Sequence, residues 1–231
     1  MSGLDFDGDY GRQYRQSIRL SIPAYDAVLE IGSAALAAGA PAARSALIVG
    51  PGAGEELPGL LQAMPLARFT LLEPSVQMAL FCRQRIEGLQ AESRCTLKQT
   101  SLEASGFTEE RFDAVVCHHV LHLFPPVQQQ QELELLLDCL SPGGSLVISS
   151  YSEPSDESDH QQLVAVAMAR LRMLGMDETT LEWFLSGRNK VVFSLAEELL
   201  HQQAQAKGCQ PPQLLLRAML NRLWLIQKST A

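Results

Sequence analysis

Two short apolar runs, about twenty residues apart, limit what this chain can fold into. The first, residues 46–49, leads directly into the glycine-rich segment 50–54, Gly-Pro-Gly-Ala-Gly. The second, residues 69–72, ends in Glu73. Glycines in a tight strand-to-helix turn let the backbone approach a ligand, and a carboxylate after the next strand accepts hydrogen bonds from both ribose hydroxyls. The two runs therefore predict neighbouring parallel strands that end in a nucleotide-binding pocket.

The spacing of the glycines narrows the kind of nucleotide. A dinucleotide-binding loop reads GxGxxG and holds a pyrophosphate at a helix N-terminus, whereas this segment reads GxGxG. The chain also has no GxxxxGKS or GxxxxGKT motif for a triphosphate. Glu55 and Glu56 follow the loop, where their charge would repel a phosphate. We therefore expect a zwitterionic or cationic ligand.

Charge and composition argue against several other kinds of protein. The chain has 18 Lys and Arg against 26 Asp and Glu, a net charge of −8, so a nucleic-acid ligand is not expected. No apolar stretch is long enough for a membrane span and the N-terminus is acidic, so we expect a cytoplasmic protein that does not bind membranes. The five widely spaced cysteines indicate reduced core residues, and 231 residues are typical of one domain.

Helices and strands alternate along the first two thirds of the chain. Ser21 is the expected N-cap of a helix that runs to about Ala38 and stops at Gly39. Five predicted strands follow, separated by helical segments, at 46–49, 68–72, 95–99, 113–117 and 145–149. This alternation predicts parallel βαβ units in an α/β sheet.

The last third has a different pattern. Apolar residues between 163 and 174 recur at helical spacing, and a second short helix is predicted at 181–185. Ser194 and Glu197 have the spacing of a capping box that starts a further helix. The runs 214–219 and 223–227 predict an antiparallel hairpin that completes the sheet. The helical segment thus reads as an insertion that covers the ends of the strands.

Four motifs, in order, resemble those of the class I S-adenosylmethionine-dependent methyltransferases. Segment 50–54 is similar to the family's glycine loop, and Glu73 to the acid that binds the ribose. Residues 112–116, Phe-Asp-Ala-Val-Val, resemble its fourth strand, and residues 140–146, Leu-Ser-Pro-Gly-Gly-Ser-Leu, the turn into its fifth. The resemblance implies a doubly wound, mostly parallel seven-stranded sheet. It also implies S-adenosylmethionine as cofactor and methyl transfer to an oxygen or nitrogen of a small molecule.

The resemblance further divides the chain and assigns its site. Within one methyltransferase-like domain, residues 1–44 form a helical cover, 45–151 the cofactor-binding core, 152–195 the insertion, and 196–231 the last helix and hairpin. The residues expected to bind the cofactor lie in the glycine loop and at the strand ends: Gly50, Pro51, Gly52, Gly54, Glu73, Pro74, Thr100, Ser101, Leu102 and His118.

His118 lies just past the predicted fourth strand, at the edge of the sheet where α/β proteins bind their ligands. An imidazole with a pKa near neutrality can act as a general base toward a hydroxyl or amine, or it can only shape the pocket; both interpretations stay open. Cys117, His119 and His122 nearby invite a metal site. Adjacent residues on a strand point in opposite directions, however, so no metal is expected.

The N-terminal region and one departure from the family pattern leave alternatives. Tyr14 and Arg19 are candidates for substrate binding, and a monomer or a homodimer is expected. Residues 19–25, Arg-Leu-Ser-Ile-Pro-Ala-Tyr, are similar to the opening segment of carboxy-S-adenosylmethionine synthases, with Arg188 as the candidate that grips a carboxylate. Ile48 stands where the family often has an acid, so a non-catalytic cofactor-binding or scaffold protein is the other alternative.

Overall fold

The computed structural model describes residues 4–107 and 109–230, with the backbone alone at residues 15 and 16. Its strands are β1 Ser45–Val49, β2 Arg68–Leu72, β3 Cys95–Lys98, β4 Phe112–His118, β5 Leu140–Tyr151, β6 Gln213–Ala218 and β7 Asn221–Gln227. They form one sheet in the order β3-β2-β1-β4-β5-β7-β6. Strands β1 to β5 pair in parallel, whereas β7 pairs antiparallel with both β5 and β6. The predicted mostly parallel sheet with a closing hairpin is confirmed.

Helices cover both faces of the sheet, as a doubly wound fold requires. Their bounds are α1 Asp9–Ser21, α2 Tyr25–Gly39, α3 Leu57–Ala63, α4 Val76–Gly88, α5 Pro126–Asp138, α6 Glu157–Met173, α7 Glu178–Ser186 and α8 Glu197–Ala206. On one face, Leu36 of α2, Leu60 of α3 and Ile86 of α4 belong to a single buried cluster. On the other face, Leu133 of α5 and Leu200 of α8 belong to a second cluster. In the part of the chain that the structure describes, no helix is both long enough and apolar enough to cross a membrane.

The parallel strands follow the apolar runs of the sequence closely. Strand β2 has the predicted bounds, and residues 114–117 of β4 are completely buried because helices pack on both sides. Strand β5 begins at Leu140 instead of Ser145, since Leu140 already pairs with Phe112 of β4. The Pro-Gly-Gly turn motif therefore lies inside the first half of this strand.

The predicted first helix begins later than expected, at Tyr25, and a further helix, α1, precedes it. Ser21 ends α1 instead of capping a helix, and its hydroxyl donates a hydrogen bond to the carbonyl of Ser17 at 3.1 Å. Helix α2 begins only at Tyr25, after Ala24 in the left-handed region at φ 59°. Ile18 and Ile22 pack with Tyr25 in a small buried cluster. The break thus allows apolar side chains of both helices to pack together.

The predicted capping box at Ser194 is wrong, although the two insertion helices and α8 are present. The residue before α8 is Ala196, which offers no side-chain cap. The hydroxyl of Ser194 accepts a hydrogen bond from the backbone N–H of Glu153 at 2.9 Å. A contact between the start and the end of the insertion therefore replaces the local contact that the sequence pattern predicts.

Candidate active site

The three glycines of the loop all adopt left-handed backbone conformations, but they serve different purposes. Gly50, Gly52 and Gly54 have φ angles of 65°, 55° and 70°. A Cβ atom at Gly50 would lie 2.5 Å from Cγ2 of Val120, and one at Gly54 would lie 3.0 Å from Cδ1 of Leu57. At Gly52 the nearest atom would be the terminal methyl of a methionine, 3.4 Å away. Packing excludes side chains at the outer two positions, whereas Gly52 faces a cavity.

Glu73 joins the end of β2 to the glycine loop. Its Oε2 accepts a hydrogen bond from the backbone N–H of Gly52 at 2.9 Å, and its Oε1 accepts one from Ser75 at 3.0 Å. Burial raises the pKa of this carboxyl, while the two backbone hydrogen bonds act in the opposite direction. Each carboxylate oxygen has a further lone pair, so the side chain can still accept from two hydroxyls.

A cavity of about 550 Å³ opens beside this loop, and we call it the glycine-loop cavity. Besides Gly50, Gly52 and Glu73 its lining includes Pro74, Ser75, Met78, Tyr14, His118, His119, Val120 and His122. The described lining residues include the acids Asp5, Asp7 and Glu73 but no lysine or arginine. The cavity is therefore suited to a ligand that carries positive charge.

The N-terminal segment forms one wall of the glycine-loop cavity. Asp7 accepts hydrogen bonds from the hydroxyl of Ser75 at 2.7 Å and from the backbone N–H of Gln77 at 3.0 Å, at the start of α4. The hydrogen bond from the backbone N–H of Gln77 lowers the pKa of Asp7 most, and the hydrogen bond from the Ser75 hydroxyl lowers it further. The rings of Phe6 and Tyr10 meet edge to face at 5.2 Å. These contacts hold aromatic side chains against the cavity.

The acids that follow the loop do not act as the sequence predicts. Glu55 forms ion pairs with Arg19, at 2.9 Å, and with Arg85, so its charge is balanced. Glu56 is buried, which raises its pKa to about 8 and keeps it largely protonated at neutral pH. The acids lining the cavity, rather than this pair, disfavour a phosphate ligand.

A second cavity, of about 410 Å³, lies under the insertion, and we call it the insertion cavity. Helices α6 and α7 contribute Val164, Ala167, Met168, Leu171, Phe184 and Leu185 to its lining. The turn between β6 and β7 and the segment between α1 and α2 complete it, through residues such as Leu220 and Ile22. Ile22, His122, Phe184 and Val192 line both cavities. The two cavities therefore adjoin at one edge of the sheet.

Three histidines lie at or just after the end of β4, of which His119 is buried and His118 and His122 are half-buried. Nδ1 of His118 lies 3.1 Å from the hydroxyl of Ser149, and Nε2 has no hydrogen-bond partner in the described residues. His119 has a φ of 56° and stacks on Tyr25 with 5.9 Å between ring centroids. Burial lowers the pKa of His118 and of His122 to about 4, and that of His119 well below its usual value. Desolvation thus moves the pKa of His118 below the near-neutral value of a free imidazole.

A polar cluster borders the insertion cavity around Glu153. The Oε1 and Oε2 atoms of Glu153 accept hydrogen bonds from Nε and Nη2 of Arg188, at 2.7 and 2.6 Å respectively. The hydroxyl of Tyr151 donates to the same carboxylate, and Nε2 of His160 lies 3.5 Å from Oε1. Arg188, the candidate for gripping a carboxylate of the cofactor, is thus already engaged by a carboxylate of the chain itself.

Several residues predicted for the site lie outside the lining of both cavities. The hydroxyl of Ser101 accepts a hydrogen bond from the N–H of Ala104, and Leu102 belongs to the core. Thr100 and Pro51 are adjacent to the site without lining it, and Gly54 packs against helices. Arg19 is paired with Asp26 and Glu55 and lies over the ring of Tyr25 at 5.3 Å. Tyr14 and Pro74, by contrast, do line the glycine-loop cavity.

Two further features of the sequence concern Ile48 and the histidines near the end of β4. Ile48 is buried in the core between the sheet and helices α2 to α4, so its side chain takes no part in the lining of either cavity. Within residues 4–107 and 109–230, no three His, Cys, Asp or Glu side chains come together as a metal site. Met78 and His122 are lining residues to which the sequence analysis gave no role in the pocket, and their local signal is that both follow strand ends.

Comparison with known proteins finds a domain match within this chain and solved structures that share its fold. Residues 47–146 match the family described as "Methyltransferase domain". No curated protein sequence matches the chain significantly. An O-methyltransferase family protein from Burkholderia thailandensis superposes with a TM-score of 0.68 at 18% identity, over 94% of this chain and 58% of that one. This chain thus spans little more than half of that protein.

Two further solved structures share the fold over nearly the whole chain. Magnesium protoporphyrin IX methyltransferase from Synechocystis PCC 6803, with bound S-adenosylhomocysteine, has a TM-score of 0.68 at 16% identity, over 97% of this chain and 96% of that one. Human N-acetylserotonin methyltransferase, in complex with S-adenosylmethionine, has a TM-score of 0.62 at 12% identity, over 99% and 61%. At these identities the structures establish the common fold. Together with the matched domain, they confirm the predicted resemblance of this chain to the class I methyltransferases.

Proposed function

We propose that this protein transfers the methyl group of S-adenosylmethionine to an oxygen or nitrogen of a small molecule. The observation that supports the proposal most directly is that the glycine-loop cavity and the insertion cavity adjoin at one edge of the sheet. The glycine-loop cavity has the charge and the backbone approach that a cationic nucleoside needs, and the insertion cavity adjoins it through His122 and Phe184. A donor in the first cavity and an acceptor in the second would lie side by side.

In the glycine-loop cavity, the chain offers a distinct group to each part of the cofactor. We assign the ribose hydroxyls to Glu73, which keeps two lone pairs free, and the methionine part to the backbone at Gly50 and Gly52. Pro74, Tyr14 and His118 complete the proposed cofactor contacts because they line the same cavity. The acids in the lining favour the sulfonium charge.

When bound, S-adenosylmethionine supplies a methyl group on a positively charged sulfur. The chain's contribution is to hold the acceptor in line with that group and to keep water away, which can supply most of the rate enhancement. His122 lines both cavities, and its low pKa leaves it neutral at physiological pH. A neutral imidazole there can accept a hydrogen bond from an acceptor O–H or N–H, and although its low pKa makes it a weak base, a hydroxyl that gains a methyl group is acidic enough to pass it the proton.

The test is a turnover measurement with matched variants. Purified protein is incubated with S-adenosylmethionine and a panel of small phenols, alcohols and amines, and S-adenosylhomocysteine is quantified by chromatography. We expect acceptor-dependent product with at least one panel member. Ala167→Trp, which fills the insertion cavity, should abolish it, whereas Ala165→Trp on the exposed side of α6 should not.

Two outcomes would replace the proposal. If the protein binds S-adenosylhomocysteine but transfers no methyl group to any acceptor, the non-catalytic alternative gains support. If native mass spectrometry of the purified protein shows a carboxylated nucleoside, the synthase-like alternative does. The second outcome would also require Glu153 to release Arg188, which it holds with two hydrogen bonds.

A further inference from the structure

We propose that the insertion cavity takes an uncharged aromatic acceptor and discriminates against carboxylates. This inference rests on the proposed function, because it names the class of acceptor for the same site. We infer it from the apolar lining of the cavity and from the hydrogen-bond partners of the cationic side chains in that lining.

The lining of the insertion cavity is mostly apolar, with a few flat or polarisable groups. Val164, Ala167 and Leu171 lie on one helix of the insertion, and Phe184 comes from the next. Met168 adds a thioether, which makes favourable contacts with aromatic rings. Burial of a planar apolar ring against such a wall is favoured by the hydrophobic effect and by ring stacking.

The charge of Arg188 is neutralised within the chain. Two of its nitrogens donate to the two oxygens of Glu153, a bidentate pair in which the Glu153 side chain is only 13% exposed. Burial raises the pKa of Glu153 but the hydrogen bonds from Arg188 and Tyr151 outweigh it, so the pKa is lowered and the group stays ionised. A substrate carboxylate near Arg188 would therefore meet an ion pair that carries no net charge.

The other cation of the lining, Arg170, is also engaged. Its Nη1 donates to the carbonyl of Leu20 at 2.6 Å and its Nη2 to that of Arg19 at 3.2 Å. These carbonyls belong to the last turn of α1, where a helix carries partial negative charge. Both cations of the described lining thus have partners, and an acceptor anion would have to displace one of them.

The experiment compares two probes that share a ring system and differ in charge. Isothermal titration calorimetry measures binding of 2-naphthol and of 2-naphthoate to the protein saturated with S-adenosylhomocysteine. We expect 2-naphthol to bind at least ten-fold more tightly than 2-naphthoate. Equal or tighter binding of 2-naphthoate to the unmodified protein would overturn the inference, and this comparison needs no variant.

Variants then connect the discrimination to the named residues. Glu153→Gln leaves the charge of Arg188 unbalanced and should tighten 2-naphthoate binding at least ten-fold. Glu182→Gln, which removes an exposed acid on α7 outside the cavity lining, is the matched control and should change neither affinity. Ala167→Trp should abolish 2-naphthol binding and leave S-adenosylhomocysteine binding intact; persistence of 2-naphthol binding would show that the probe occupies another site.

Failure of the inference and of the proposed function are distinguishable. S-adenosylhomocysteine binding is titrated first, in the absence of probe, and its absence contradicts the proposed function alone. The two naphthalene probes are in that case compared on the unliganded chain, where their relative affinities still decide the inference.

Discussion

The carboxylate of Glu73 is the contact on which cofactor binding should depend most. The change Glu73→Gln keeps the size and shape of the side chain but replaces one carboxylate oxygen with an NH2 group. In the unmodified protein, each carboxylate oxygen accepts a hydrogen bond from a backbone N–H, one from Gly52 and the other from Ser75. The amide can satisfy only one of these donors as an acceptor, and it also lacks the charge that strengthens hydrogen bonds to a ribose diol.

The size of the effect follows from these contacts. A hydrogen bond to a charged group contributes about 1.5–3 kcal/mol, and the amide leaves one ribose hydroxyl without its charged acceptor. The affinity for S-adenosylhomocysteine should therefore fall roughly 10- to 150-fold. The lost bond to the loop is present with and without ligand, so it should lower the free energy of unfolding by about 1–3 kcal/mol rather than the affinity.

Calorimetric titration of three proteins tests this prediction. The unmodified chain and Glu73→Gln are titrated with S-adenosylhomocysteine, alongside Glu87→Gln, which removes an exposed acid at the far end of α4. The control should bind like the unmodified chain. A folded Glu73→Gln protein whose affinity stays within a factor of two of the unmodified one would refute the assignment of the ribose to this side chain.

Three further predictions concern stability and turnover. Gly50→Ala should lower the free energy of unfolding by about 1–3 kcal/mol through left-handed strain and the close contact with Val120, measured by urea denaturation. Part of that loss should vanish in a Val120→Ala background, and an unchanged loss would refute the clash. Between about pH 4.5 and pH 8, folded Glu56 keeps a proton that the unfolded chain releases, so stability should fall as pH rises. Glu56→Gln should remove this slope, which is at most about 1.4 kcal/mol per pH unit, and denaturation at pH 5 and pH 8 measures it. His122→Gln should slow turnover roughly 10- to 100-fold with little change in S-adenosylhomocysteine affinity, and unchanged turnover would exclude His122 as proton acceptor.

The sequence predicted those parts of the fold that depend on local pattern. Parallel strands buried on both faces read as continuous apolar runs, which is why β2 was predicted residue for residue. The start of α2 was misplaced because Pro23, which fits the first turn of a helix, lies here in the segment between α1 and α2. The capping box at Ser194 was wrong for a different reason, because the Ser194 hydroxyl bonds to Glu153, 41 residues away in the chain.

In the site, too, the features that could be predicted depend on local sequence, and those that could not depend on long-range packing. Gly50, Gly52 and Glu73 were found because each lies at a strand end with a recognisable spacing. The insertion cavity was not, since its wall combines two helices, the β6–β7 turn and the end of α1. The pKa of His118 was also out of reach, because its low value depends on burial that no spacing reveals.

Native mass spectrometry of the purified chain with added S-adenosylmethionine tests the central claim most directly. The measurement reports both the mass of the bound ligand and the number of ligands per chain, and circular dichroism of the same sample establishes that the protein is folded. We predict one cofactor molecule per chain, displaced by S-adenosylhomocysteine. A folded chain that binds neither nucleoside would contradict the assignment of the glycine-loop cavity as the cofactor site.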